Sequence, residues 1–296
     1  MKTRQLWARS IFTVTGRIAA FIGIFVVLGV SLEAPIGWLN NHLSVCGTPR
    51  AAYPLASYTI GEARSAVCAL IAYMFVNRAL EKQTLSQAGF ALVHVGRDLA
   101  AGFLLGLLTV VIIFTVLWAT GLYRILGRSP HFYLLLVVGL SLCTGIFEET
   151  VFRGLLFGLI ERWAGTGWAI SISSALFGLA HLLSHDGDPL GHKLMRVLAI
   201  IVGSSLFLNG VYLWTRRLWM PIALHTGWDF LAFTLSNGLD LPNVSAYVTH
   251  NSSAYIGYLP VALVPAAGGI LLIRAAIRQG EWKTMKRPSA TRTELT

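Results

Sequence analysis

The stretch Phe132-Tyr-Leu-Leu-Leu-Val-Val-Gly-Leu-Ser-Leu-Cys-Thr-Gly-Ile-Phe147, followed directly by Glu148-Glu149-Thr150-Val151-Phe152-Arg153-Gly154, decides how this chain must be read. A nearly unbroken apolar run leads straight into two carboxylates and a guanidinium. The apolar segment as a whole covers about 131–160, longer than the roughly 20 residues that a helix needs to cross a bilayer. It has room to tilt or break. Its charges fall where lipid would otherwise be, at a cost of roughly 2.5–3.5 kcal/mol each on insertion scales. Groups at such depth face a bundle interior or a wet cavity.

Seven further apolar segments flank this one, at about 11–30, 63–80, 99–121, 167–183, 194–215, 218–236 and 255–277. Only 12% of the residues are charged, and the mean hydropathy is +0.66. A soluble chain carries charge on roughly a quarter of its residues, so a single buried core cannot account for this composition. The expected fold is all-α, a polytopic transmembrane helical bundle of about eight spans with an intramembrane site. One membrane-embedded domain should cover 1–280, with a polar tail at 281–296 expected to be disordered. The longer connections, about 31–62 and 237–254, read as loops rich in Pro, Asn, Gly and Ser. Residues Ile11–Val30 are too long for a typical signal-peptide core and no small-residue cleavage site follows, so they read as a retained first span.

The net charge of +10 does not point to nucleic acid, because the basic residues lie at span ends. With the N-terminus inside, sixteen of the 23 Lys and Arg fall on inner segments and six on outer ones. That bias orients both termini to the cytoplasm, as expected of a multi-pass protein of the cell membrane. Arg153 belongs to no loop. Cys46, Cys68 and Cys143 are odd in number and lack CxxC spacing, which excludes a disulfide framework or zinc ribbon.

Glu149 and Arg153 are four apart and can pair on one helix face. Glu148 is rotated about 100° from Glu149. A helix-locking ion pair therefore accounts for Glu149 and Arg153 but leaves Glu148, a candidate for taking a proton from water. Two further polar sites interrupt apolar helices. His181 ends the fifth segment, and His225 and Asp229, four apart, lie inside the seventh. A lone intramembrane histidine is commonly a hydrogen-bonded packing residue, and His225–Asp229 by itself could be a local hydrogen bond. At 1.5 Å per residue, however, Glu148, His181, His225 and Asp229 lie about 18, 21, 10 and 16 Å from the inner ends of their spans. Three helices thus bring four such groups to similar depths.

Other polar residues read more plainly. His94, Arg97 and Asp98 suggest a solvated loop, and His185, Asp186, Asp188 and His192 an ordinary polar connection despite ligand-like spacing. Trp7, Trp38, Trp163 and Trp219 suit membrane interfaces. Gly102 and Gly106 form a small-xxx-small pair suited to close helix packing.

In order along the apolar helices, Glu148-Glu149-x-x-x-Arg153, Phe177-x-x-x-His181 and His225-x-x-x-Asp229 resemble the motifs of the CPBP intramembrane protease family. That family includes CAAX prenyl endopeptidases of the Ras-converting type and bacterial Abi proteins linked to bacteriocin processing and self-immunity. The resemblance implies an endopeptidase in which Glu148 activates water with help from His181. His225 and Asp229 would stabilise the oxyanion, and Glu149 and Arg153 would orient the site or hold substrate. Asp229 stands where the pattern accepts Asn or Asp, and an aspartate donates a hydrogen bond only when protonated. The implied partner is a membrane protein or peptide, prenylated or otherwise lipidated in the CAAX case, within the bilayer. No cofactor is expected. Zinc on Glu148, His181, His225 and Asp229 is the alternative, although HExxH is absent. Buried Glu, His and Arg also build proton relays in carriers, but the inverted repeats common in carriers are not visible here. A catalytically silent immunity or scaffold protein is the third reading.

Overall fold

The computed structural model describes residues 2–45, 53–128, 133–183, 189–235, 247–251 and 255–283. Its helices are α1 (Lys2–Ser31), α2 (Glu33–Val45), α3 (Tyr53–Phe75), α4 (Val95–Ala119), α5 (Leu134–Glu149), α6 (Gly158–Ala164), α7 (Thr166–Ala180), α8 (Leu190–Val202), α9 (Ser204–Thr215), α10 (Trp219–Leu235) and α11 (Tyr258–Arg278). Among the described residues, each of the eight apolar segments falls for the most part in these helices and the short π- and 3-10 turns that continue them. Among the described residues, six helical stretches are long and apolar enough to cross a membrane: Thr13–Ser31, Tyr53–Leu80, Ser86–Ala119, Leu134–Ala164, Leu190–Thr215 and Tyr255–Arg278. The fifth and seventh segments form the shorter α7 and α10, of 15 and 17 residues. These are the proportions of an integral, multi-pass membrane protein.

The segment 31–62 differs from its reading as a loop. It contains α2 and the beginning of α3, so Glu62 lies on a helix. Pro35 and Pro54 do not oppose this, since they sit in first helical turns, as do Pro221 of α10 and Pro260 of α11, where the helix itself does not depend on their missing N–H. A small ribbon joins the bundle, with β1 (Tyr123–Arg128) antiparallel to β2 (Tyr247–Asn251). The register runs from Tyr123 opposite Asn251 to Arg128 opposite Tyr247, with an irregularity between Ile125 and Gly127. Residues 284–296 of the polar tail, Cys46, and His185, Asp186 and Asp188 of the polar connection lie outside the described residues.

The core is organised around α10, whose residues from Met220 to Gly227 are all buried. It packs against α4, α5 and α9. Gly102 and Gly106 serve this crossing: a Cβ at Gly106 would collide with the Leu224 carbonyl oxygen, and one at Gly102 with that of Met220. Across the same interface, a Cβ at Gly227 would strike the backbone of Phe103. The small-residue pair thus brings two backbones of one chain together. Asp98 differs from its reading as solvated. It lies in the first turn of α4, is 1% exposed, and accepts hydrogen bonds from Arg217. The partner is distant in sequence, so local composition gives no sign of the pair.

Candidate active site

The long fourth segment does not run as one uniform α-helix. α5 ends at Glu149, and Thr150–Phe157 continue as a π-helical turn before α6. Insertions of this kind concentrate at functional sites. Here the widened turn carries Arg153, which lies with Glu149 at 0% side-chain exposure. Arg153 Nη1 donates to Glu149 Oε1 at 3.0 Å. Its other donors are satisfied by neutral groups: Nε by Asn209 Oδ1 at 3.2 Å, and Nη2 by Ser205 Oγ at 3.0 Å and the Ser205 carbonyl at 3.3 Å. The Asn209 amide in turn donates to Ser174 Oγ at 2.9 Å and Ser173 Oγ at 3.3 Å. Phe177 supplies the remaining face, with the guanidinium carbon 4.4 Å from its ring centroid, a cation–π contact of real strength when desolvated.

His225 bridges this buried pair to the cavity. Its Nδ1 lies 2.8 Å from Glu149 Oε1. An ionised carboxylate can only accept, so Nδ1 carries the proton and Nε2 faces away from the pair. Nε2 is 3.6 Å from Glu148 Oε2 and 3.5 Å from Asp229 Oδ2. Oε2 of Glu148 and Oε2 of Glu149 are both buried without a hydrogen-bond partner. Buried acceptors are rarely left open without a reason.

Glu148, His181, His225 and Asp229 all line one cavity of about 850 Å³. His181 follows α7 directly, and its Nδ1 donates to the Phe177 carbonyl at 2.8 Å. A carbonyl only accepts, so the neutral ring keeps a lone pair on Nε2. Phe177 packs between the two histidines, with centroids 5.0 Å from His181 and 6.0 Å from His225. The six residues singled out from sequence therefore divide in two. Four line the cavity, while Glu149 and Arg153 stand behind it and hold His225.

Residues 130–231, about a third of the chain, match the family model described as type II CAAX prenyl endopeptidase Rce1-like. The core of this chain is similar to CAAX-type membrane endopeptidases. The match runs from just before α5 to within α10 and includes all three motifs, so the resemblance read from Glu148 to Asp229 holds. No curated protein and no solved structure matches the chain.

Several side chains around this endopeptidase-like core were not singled out from sequence. Asn209, Ser205, Ser173 and Ser174 complete the Arg153 cage, and Tyr58, Glu62 and Arg196 line the cavity. An asparagine inside the apolar run of α9 was the one visible sign of the cage. Glu62 became legible only once its segment was known to be helical.

Proposed function

We propose that the chain is an intramembrane endopeptidase that hydrolyses a peptide bond of a membrane-associated or lipidated protein or peptide, by CAAX-type or leader-peptide processing. The observation that carries this reading is the open acceptor of Glu148, buried at the cavity wall beside His225 and Asp229. Glu148 takes a proton from a water molecule, whose oxygen attacks the scissile carbonyl carbon. His181, with its Nδ1 proton held by the Phe177 carbonyl, presents Nε2 to help orient that water. The oxyanion is met by His225, which donates from Nε2 when its ring carries both protons, and by Asp229 when its carboxyl is protonated. Preorganised donors of this kind contribute roughly 3–4 kcal/mol. As the C–N bond breaks, Glu148 returns its proton to the leaving amine. Glu149 and Arg153 are positioning residues, since Glu149 fixes the His225 ring through Nδ1.

No step is routed through a metal. Both termini are assigned to the cytoplasmic side of the cell membrane on the distribution of Lys and Arg. The deciding experiment compares membrane peptidomes of cells carrying the wild-type protein or Glu148→Gln. Peptides that disappear in the variant, and reappear when purified wild type is added to the variant's membranes, identify substrates. Identical peptidomes with equal protein levels would exclude the reading.

A further inference from the structure

Glu62 belongs to none of the three motifs, and the hydrolytic scheme gives it no task. It is half-buried on α3 and lines the same cavity as Glu148, His225 and Asp229. It has no hydrogen-bond or ion-pair partner among the described residues. The nearby Arg64 pairs with Glu33 instead. Tyr58, one turn earlier on the same helix face, lines the cavity too. Both residues also border a second pocket of about 460 Å³, formed with Tyr53, Ser57, Gly61 and Arg64. Tyr58 and Glu62 therefore stand between the catalytic cavity and an open groove on the flank of α3.

The packing of α3 on α5 fixes where this pair stands. A Cβ at Gly139 would touch Thr59, and one at Gly154 would touch Tyr73. The two helices thus run side by side in the same direction, which sets Glu62 level with Leu142. That is about 9 Å along the bundle from Glu148, at 1.5 Å per residue. An extended peptide advances about 3.3 Å per residue, so a substrate held at Glu148 presents to Glu62 a residue about three positions away. The cavity lining carries the carboxylates Glu62, Glu148 and Asp229, the imidazoles of His181 and His225, and one guanidinium, Arg196 of α8; His225 stands with Glu148 and Asp229, not with Glu62. Arg153 is taken by Glu149. The wall at Glu62 is thus negative with no countercharge of its own.

Resting on the peptidase reading, we infer that Glu62 is a specificity residue: it contacts a Lys or Arg side chain about three residues from the scissile bond, as the substrate passes Tyr58 into the second pocket. The tyrosine ring beside it adds a face suited to a cation. A substrate carboxylate at that position meets like charge in a poorly solvated wall, which is how such sites reject wrong partners.

The test uses the full chain, purified and placed in lipid nanodiscs. Internally quenched peptides of one sequence carry Lys, Gln or Glu at the third residue on either side of the scissile bond. Wild type should prefer Lys over Glu on one side by about tenfold or more in kcat/KM, the scale of a single charge contact. Glu62→Gln should flatten that ranking and Glu62→Lys should reverse it. The same peptides, fluorescently labelled, are titrated against Glu148→Gln protein with and without the Glu62 changes. Cleavage with one ranking in all three proteins would overturn the role of Glu62 and leave the peptidase intact. No cleavage, but binding whose ranking Glu62→Lys reverses, would keep the cation site and sink the peptidase. Neither cleavage nor binding would overturn both.

Discussion

Two clusters of charge, one behind the cavity and one at the rim where α6, α9 and the end of α11 meet, use the same residue types to opposite ends. At the rim, the Glu161 carboxylate accepts from Arg216 at 2.8 and 3.1 Å, Thr166 at 2.7 Å and Lys283 at 3.3 Å. Arg216 also pairs with Glu281 at 2.8 Å. Thr166 and Lys283 exchange hydrogen bonds at 2.9 Å in each direction. Both oxygens of Glu161 are used, and the cluster ties the chain beyond α11 to α7 and α9. Behind the cavity, Arg153 and His225 both address one oxygen of Glu149, while its second oxygen and one of Glu148 remain open. A saturated network fixes geometry. An incompletely satisfied one, buried beside a cavity, holds capacity for a substrate and its water.

The sharpest way to break this comparison is to make one substitution in each cluster. Glu148→Gln should remove about 10²–10⁴-fold or more of the peptidase rate, the usual worth of a general base, while the melting temperature in detergent hardly moves. Glu161→Gln should do the reverse. It weakens charge-assisted bonds worth roughly 1.5–3 kcal/mol in buried settings, so the melting temperature should fall while kcat of the remaining folded protein stays the same. If the two variants behave alike in both assays, the division between a catalytic and a structural cluster is wrong.

Removing the cation from each cluster gives a smaller but still graded contrast. Arg153→Ala strands Glu149 at 0% exposure, and uncompensated buried charge costs roughly 3–5 kcal/mol. Protein yield should collapse, and Glu149→Gln with Arg153→Met should recover part of it. Arg216→Ala leaves the buried Glu161 still paired with Lys283 and bonded by Thr166, so the loss should be smaller, roughly 1.5–3 kcal/mol. It should shrink further in high salt. Arg216 also holds a left-handed backbone, φ 53°, at the turn into α10, so Arg216→Gly should relieve strain and lose less than Arg216→Ala. Equal yields for Arg153→Ala and Arg216→Ala would show that burial does not separate the two clusters.

The contrast also explains what could be read from sequence. Glu149 and Arg153 announced themselves because their spacing is local and their surroundings apolar, and the eight apolar segments were visible as hydropathy. The neutral members of the Arg153 cage were not, since Ser205 and Asn209 meet Arg153 only through the packing of α9 on the π-helical turn. The rim cluster and the Asp98–Arg217 pair join residues more than fifty positions apart, and charged residues at span ends look solvated when taken singly. Glu62 was hidden by composition: prolines and polar residues lower the hydropathy of a segment that nevertheless begins helices. The ribbon of β1 and β2 is too short to show a period of two along either strand.

The finest test lies at Asp229, where the interior cluster meets the cavity. Glu149 already holds Nδ1 of His225, so the tautomer does not depend on Asp229, which faces Nε2 at 3.5 Å. Two roles are left to it: a protonated donor to the oxyanion, or an ionised group serving a cation. Under the first, Asp229→Asn keeps a donor at the same place, and activity should stay within a few-fold of wild type. The pH profile then discriminates by sign. A protonated aspartic acid is lost as pH rises through its pKa, and so is the second proton of His225, so asparagine, which does not titrate, should move the falling alkaline limb of wild type to higher pH and leave only the limb of His225. Under the second, the same change deletes a needed charge, the rate drops by orders of magnitude, chelators inhibit and zinc restores. Rate profiles of both proteins, with and without chelator, decide between them. An alkaline limb that stays at its wild-type pH in an active Asp229→Asn would assign that limb to another group, His225 first, and leave Asp229 no part in the proton inventory.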